Sequence, residues 1–166
     1  MMNRATLLRC LSLLAGLSPL TATADTLDDL RLKSEIKEKL IYAYAHAWDR
    51  QDCTAWSRLF TADGLLDLSG DGNLTSTAKR ATGRQEILQF CESRMKTALA
   101  DVKSRHFMTN TVFTAVTSSR AAAQTYAFVT WQKPTDPAPV VKVSITYRDV
   151  IVKENGQWLL KERYVQ

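Results

Sequence analysis

Hydrophobic residues in the first half of the chain recur at steps of three and four, the pattern of one apolar helix face. This pattern predicts a long helix over residues 26–49. Asp52 is placed to cap a second, short helix over 53–60. Thr82-x-x-Gln85 has the form of a capping box and predicts the start of a third helix, which would end near residue 99.

Beyond Asp101 the apolar period changes from helical to alternating, which is typical of strands with one buried face. Asn155-Gly156 between the last two runs is a strong hairpin signal. The predicted strands are 65–68, 103–117, 121–133, 140–153 and 157–165. Helices followed by such a meander predict an α+β fold: a cone-shaped barrel in which three N-terminal helices pack against a strongly bent antiparallel sheet. A cavity open at one end should remain between the two layers.

The first 24 residues form a separate segment with the features of a secretory signal peptide. Arg4 and Arg9 precede the short apolar run 10–17, and the segment ends in Ala22-Thr23-Ala24. The run is shorter than the ~20 apolar residues of a membrane-spanning helix. We therefore expect cleavage after Ala24, a periplasmic or secreted protein without a stable membrane anchor, and a single mature domain over 25–166.

The charge and the cysteine spacing of the chain argue against several classes of function. Without Arg4 and Arg9, 20 of the 22 basic residues remain against 17 acidic ones, a net charge of +3, and they are spread along the chain. No nucleic-acid footprint is present. Cys53 and Cys91 fit either a disulfide or two small buried positions, and neither lies in a metal-binding or redox spacing. No metal or cofactor is expected.

Asp49 and His106 are the strongest candidates for chemistry. The macrodipole disfavours a carboxylate where the first helix ends, so Asp49 is either a general base with a raised pKa or a solvated aspartate bonded to the next turn. Strand alternation puts His106, Met108, Asn110 and Val112 on one face, where the imidazole could meet Asp49. Imidazole titrates near physiological pH, which suits it to acid/base work.

Several short motifs, in this order and spacing, resemble the SnoaL-like family of the cone-shaped, nuclear-transport-factor-two-like superfamily. They are Tyr44-x-x-x-x-Asp49, Asp49-x-x-Asp52, Leu59-Phe60-x-x-Asp63-Gly64, His106-x-x-Thr109-Asn110, Tyr147-x-Asp149 and Gly156-x-Trp158. The resemblance covers essentially the whole mature chain. This superfold hosts enzymes, binding modules and assembly domains, so it does not by itself define a function.

The resemblance to the scytalone and bile-acid dehydratases of this type implies roles for three residues. Asp49 would abstract a proton, His106 would pass it to a leaving oxygen, and Tyr44 would polarise the substrate carbonyl. The second histidine of scytalone dehydratase has no counterpart in the run 122–132, which leaves an isomerase open. The remaining candidates for substrate binding are Trp48, Asn110, Tyr126 and Tyr147. Alternation near the C-terminus predicts a solvated side chain for Arg163.

The resulting expectation is a dehydratase or isomerase that acts on a small apolar carbonyl compound. The alternative is a non-catalytic module of the same fold that binds a hydrophobic ligand or dimerises. Open sheets in this superfamily often pair face to face, so the resemblance implies a homodimer through the open face of the sheet.

Overall fold

The structure is a computed structural model that describes residues 25–70 and 80–166. The predicted signal peptide, residues 1–24, and most of the predicted loop that follows the first strand lie outside these residues. In the described part, helices cover one face of a six-stranded sheet. The predicted α+β class and its two layers are confirmed. No helix in the described ranges combines the length and apolarity needed to cross a bilayer.

The predicted first helix is a continuous helical path made of three pieces. The helices are α1 (Leu27–Ile36), a π-helical segment (Lys37–Tyr42), α2 (Ala43–Asp49), α3 (Cys53–Ser57) and α4 (Gly83–Lys96). Thr26 and Asp29 form a capping box at the start of α1. The predicted box at α4 is absent, because the Thr82 side chain makes no cap and the carboxylate of Glu86 accepts the Thr82 N–H at 2.8 Å.

The sheet contains the predicted meander and two further strands. The strands are β1 (Phe60–Asp67), β2 (Arg80–Thr82), β3 (Lys103–Val116), β4 (Arg120–Gln132), β5 (Val140–Glu154) and β6 (Gln157–Val165), in the order β2-β1-β6-β5-β4-β3. β3 to β6 are antiparallel neighbours, as predicted. β1, however, pairs parallel with β6, so the sheet is mixed rather than wholly antiparallel. The long connection from β1 to β6 permits the parallel pairing.

A β-bulge in β3 changes which residues face the helices. The register against β4 shifts between Thr109 and Val112, and Asn110 adopts a positive φ of 48°. His106, which precedes the bulge, is on the inner face, whereas beyond the bulge Val112 is 59% exposed and Phe113 packs against the core. The predicted alternation was correct up to Met108 and wrong for Asn110 and Val112, because the extra residue reverses the faces until a second register shift between Phe113 and Ala115.

A disulfide joins the helical layer. Cys53 in α3 and Cys91 in α4 are bonded at 2.08 Å, with their Cα atoms 5.5 Å apart. This pairing resolves the alternative that the sequence left open. Since the two cysteines are 38 residues apart, the bond ties α3 to the helix that follows the first two strands. It thereby fixes α4 as one wall of the space between the helices and the sheet.

Candidate functional site

One cavity of about 100 Å³ lies between α2, α4 and the inner face of the sheet. Its walls are mostly apolar and aromatic, and Arg94 and His106 are the wall residues whose side-chain nitrogens are ionisable. The other lining residues are Tyr44, Trp48, Leu68, Phe90, Leu99, Val129, Trp131, Val143, Ile145, Tyr147 and Val165. A dry apolar wall with few polar groups is the usual form of a small-molecule site.

Asp49 and His106 meet at this cavity, as the sequence predicted. Their side chains are largely buried, 8% and 7% exposed, and His106 Nδ1 lies 2.7 Å from Asp49 Oδ1. The His106 backbone N–H also donates to Asp49 Oδ2 at 2.8 Å, and Ser104 Oγ donates to Oδ1 at 3.1 Å. Asp49 ends α2 and both donors lie on β3, so these bonds join the first helix to the edge strand.

The pKa of Asp49 is lowered, not raised as the sequence analysis expected for a general base. Burial would raise the pKa of this carboxyl, but the hydrogen bonds and charge of His106, together with the Ser104 hydroxyl, outweigh burial and lower it. Asp49 is thus a carboxylate at neutral pH with its oxygens occupied. The cavity lining includes His106 and does not include Asp49.

This arrangement fixes the tautomer of a neutral His106. A carboxylate only accepts hydrogen bonds, so the hydrogen of the 2.7 Å contact belongs to Nδ1. Nε2 then carries the lone pair and is the nitrogen left for a molecule in the cavity. The ring is also braced by Trp48, whose ring lies 6.4 Å away edge-on. The pair can accept a proton at Nε2 and stabilise the resulting imidazolium through Asp49.

Tyr44 and Tyr147 line the cavity above a buried ion pair. The Arg163 guanidinium lies 4.0 Å and 4.4 Å from the centres of their two rings. It also donates to both carboxylate oxygens of Asp149, at 2.7 and 2.6 Å. The predicted solvated position of Arg163 was wrong, since its side chain is fully buried.

The environment of the two tyrosines keeps their hydroxyls protonated. Burial raises the pKa of Tyr44, although the charge of Arg163 acts in the opposite direction. Burial likewise raises the pKa of Tyr147, with the neighbouring Tyr44 adding to the shift. Both phenols are therefore hydrogen-bond donors rather than bases at neutral pH.

Two of the four residues predicted to bind substrate contact the cavity and two do not. Trp48 and Tyr147 are in its wall. Asn110 is exposed at the β3 bulge, and Tyr126 is 47% exposed with its hydroxyl accepting from Gln124. On β4 it is Ala127 and Val129 that face inward, so alternation turns Tyr126 to the opposite side of the sheet.

Phe90, Arg94 and Trp131 are among the wall residues that sequence reasoning did not name as site residues. A signal for Arg94 was present, because it follows Cys91 by one helical turn and so continues the buried stripe of α4. No group of three or more His, Cys, Asp or Glu side chains converges as a metal-binding set within residues 25–70 and 80–166.

An open α+β cone with a mostly apolar cavity, and with a hydrogen-bonded Asp–His pair whose imidazole is in the cavity wall, defines the class of protein. Within that class, the chain belongs to the SnoaL-like domain family, which it matches over residues 28–164. The resemblance stated from the sequence motifs is thereby confirmed. No curated protein matches the chain significantly.

Several solved structures share the fold. A putative scytalone dehydratase from Novosphingobium aromaticivorans is 19% identical, with a TM-score of 0.67 over 85% of this chain and 87% of that one. A Catenulispora acidiphila protein in complex with S-DNPA is 24% identical, with a TM-score of 0.65 over 82% and 92%. The beta subunit of a putative aromatic-ring-hydroxylating dioxygenase from N. aromaticivorans is 19% identical, with a TM-score of 0.67 over 84% and 90%. At these identities the likeness is one of fold.

Proposed function

We propose that this protein is an exported enzyme of the dehydratase or isomerase type, which moves protons on a small, mostly apolar carbonyl compound. The observation that carries the proposal is the 2.7 Å contact between Asp49 and His106 with the imidazole on the cavity wall. A similar fold in a protein described as a putative scytalone dehydratase is consistent with it.

In this proposal His106 is the catalytic base, and Asp49 is the residue that positions it. Nε2 takes a proton from the carbon next to the carbonyl, and the C–H electron pair moves to form an enolate. Tyr44, a protonated phenol in the cavity wall, donates to the carbonyl oxygen on which charge develops.

The imidazolium, stabilised by Asp49, then returns the proton. In a dehydration it goes to the leaving hydroxyl, so that the C–O bond breaks, water departs and a carbon–carbon double bond forms. In an isomerisation it goes to a second carbon. The proton transfers of both routes need only side-chain acid and base groups, and both routes begin with the same step.

That shared first step gives a test that does not need the natural substrate. The probe is 1-tetralone in deuterated water, with deuterium uptake at the carbon next to the carbonyl followed by mass spectrometry. We expect exchange above the uncatalysed rate and a fall of roughly 10²–10⁴-fold in His106→Ala. His46→Ala is the matched control, because His46 is the other histidine of the chain and is exposed on α2. Equal rates of deuterium exchange in the wild type and in His106→Ala would contradict the proposed enzymatic function.

A second candidate function is a carrier that binds a hydrophobic ligand without changing it, which the mainly apolar cavity wall favours. Native mass spectrometry of the purified protein distinguishes the two functions. A bound molecule that is released with unaltered mass after incubation favours the carrier, whereas a mass loss of one water favours the dehydratase.

We also propose a homodimer through the outer face of the sheet. Phe107 and Phe128 stack there with ring centres 4.7 Å apart, and they remain 46% and 38% exposed. Exposed aromatic clusters of this kind are typical of protein interfaces. Light scattering should show a dimer that Phe128→Asp converts to a monomer and that Leu30→Asp, at an exposed apolar position of α1, leaves intact. A monomeric wild type would refute the interface.

Export with cleavage after Ala24 completes the proposal. The disulfide between Cys53 and Cys91 supports it, because such bonds persist in oxidising compartments. N-terminal sequencing of the protein recovered from the periplasm or medium should begin at Asp25. Retention of the first 24 residues on a cytoplasmic protein would refute export.

A further inference from the structure

Arg94 is the cationic side chain in the wall of the cavity, and the proposed mechanism does not use it. It lies in the last turn of α4, one turn beyond Phe90 and close to Leu99, which are both wall residues. Its side chain is partly buried. A guanidinium carries five N–H donors and no acceptor, so its place in a mostly apolar wall calls for an acceptor.

Among residues 25–70 and 80–166, the guanidinium of Arg94 makes no ion pair and no hydrogen bond. Within the same residues Arg50, Arg58, Arg120 and Arg148 also have no side-chain partner, but all four are exposed, whereas the less exposed Arg84 and Arg163 have partners. Arg163 is bidentate on Asp149, Arg80 pairs with Asp67 at 2.6 Å, and Arg84 donates to the carbonyl of Phe60 at 2.7 Å. The carboxylate of Asp49 is bonded to the wall residue His106, and its oxygens are already occupied by β3.

A helix end favours a cation, but this does not explain why Arg94 faces the cavity. Lys96 is in the same last turn of α4 and its side chain is exposed, outside the cavity wall. Lys96 can therefore interact with the macrodipole while remaining hydrated. Arg94 adds a second charge of the same sign at this helix end, and the dipole would favour that charge equally in an exposed position outside the cavity wall.

We propose that Arg94 is the anchor for a carboxylate on the ligand, so that the cavity selects planar, apolar molecules that bear one carboxylate. This inference deepens the proposed function, since it names a substrate class for the same cavity. Arginine is suited to a carboxylate because its planar fork forms two parallel hydrogen bonds with it. The aromatic walls, with Trp48, Phe90 and Trp131, suit a flat carbon frame.

The proposal orients the ligand. With its carboxylate on Arg94, the carbon frame lies along the aromatic wall and the reacting carbon faces His106. Binding energy from this remote group would then hold the reacting atoms near Nε2 without taking part in the proton transfer. A neutral analogue of the same shape would lack that anchor and would bind in several orientations.

The test compares two isosteric probes, trans-cinnamate and cinnamamide, which differ at pH 7 in charge but not in frame. Titration calorimetry should show that the wild type prefers the acid by roughly tenfold or more, the range expected for a hydrogen bond to a charged group. Arg94→Gln should abolish this preference and leave the affinity for the amide within about twofold, while Arg94→Lys keeps part of it.

Lys96→Gln is the matched control, because it removes one positive charge from the same helix end outside the cavity. It should retain the full preference for the acid, which separates a specific contact from the general attraction of a basic protein for anions. The proposal is overturned if the wild type binds neither probe, if it binds both equally, or if Lys96→Gln loses the preference as Arg94→Gln does.

Failure of this inference is distinguishable from failure of the enzyme. His106→Ala should abolish deuterium exchange into 1-tetralone yet keep the preference for cinnamate over cinnamamide. If the wild type prefers cinnamate but shows no deuterium exchange, the protein is an anion-selective carrier and not an enzyme. If deuterium exchange depends on His106 but the wild type does not prefer the acid, the proposed enzyme is supported and the carboxylate anchor is refuted.

Discussion

Replacement of Asp49 by Asn tests the proposed dyad most directly, because it keeps the shape of the side chain and removes its charge. Three donors converge on the carboxylate: the His106 ring at 2.7 Å, the His106 backbone N–H at 2.8 Å and the Ser104 hydroxyl at 3.1 Å. A carboxamide has one acceptor oxygen. If that oxygen accepts the backbone N–H, the amide NH₂ faces Nδ1 and forces the ring hydrogen onto Nε2, which then has no lone pair for a substrate.

The size of the effect follows from the bonds that weaken. A hydrogen bond to a charged group contributes about 1.5–3 kcal/mol and a neutral one about 0.5–1.5 kcal/mol, so two weakened bonds lower the free energy of unfolding by roughly 2 kcal/mol. Asp49 has a folded pKa below its usual 3.8, so its stabilisation is present above pH 3.8 and is lost as the pH falls through the folded value. The difference between wild type and variant should therefore shrink at acid pH.

Urea unfolding followed by tryptophan fluorescence, at pH 7 and pH 3, measures both effects. At pH 7 the ¹⁵N chemical shifts of the His106 ring should show that the ring hydrogen is on Nδ1 in the wild type and on Nε2 in Asp49→Asn. Ser104→Ala is the control, because it removes the 3.1 Å bond and leaves the charge, which costs about 1 kcal/mol and preserves the acid dependence. An unchanged free energy of unfolding in Asp49→Asn, or a loss that is the same at both pH values, would refute the reasoning.

Three further outcomes test other parts of the fold. Cys53→Ala/Cys91→Ala should lower the free energy of unfolding by about 4 kcal/mol, since the disulfide closes a loop of 38 residues, and reduction of the wild type should match it in the same assay. Arg163→Met should cost about 3–5 kcal/mol in chemical denaturation by leaving the buried Asp149 unpaired, while adding Asp149→Leu should recover much of the loss. Val143→Phe should fill the cavity, weaken cinnamate binding at least tenfold by calorimetry and change the free energy of unfolding by about 1 kcal/mol, whereas unaltered binding would place the ligand elsewhere.

The fold could be predicted from the sequence because its apolar periods are long and clear. The alternation after Asp101 predicted all four meander strands to within one or two residues at each end. The edge strand β2 was missed, because three residues are too few to show a period. The parallel pairing of β1 with β6 was missed for a different reason, since it depends on contacts between distant segments rather than on either segment alone.

The buried ion pair between Asp149 and Arg163 could not be predicted from strand alternation. Counting outward from the turn at Asn155-Gly156 sets Asp149 opposite Glu162, which suggests no ion pair. A bulge between Val150 and Ile151 shifts the register by one residue and sets Asp149 opposite Arg163 instead. The arginine then occupies the inner face, between the two tyrosine rings. One extra residue in β6, Lys161, thus decides whether a charge is solvated or buried, and alternation does not reveal it.

The contact between Asp49 and His106 was predicted from the sequence, but the roles proposed for the two residues depend on the geometry. Position along the chain suggested that Asp49, at the mouth of the cone, is the base. The proposed mechanism reverses this assignment, because a carboxylate with its oxygens occupied and a lowered pKa is a poor proton acceptor, while the ring it holds is in the cavity wall and keeps the lone pair of Nε2. The residue next to a substrate is thus the one with an unused lone pair, which is a property of the folded neighbourhood. For the same reason Arg94, whose guanidinium has no acceptor within the described residues, is where the identity of the ligand should be sought.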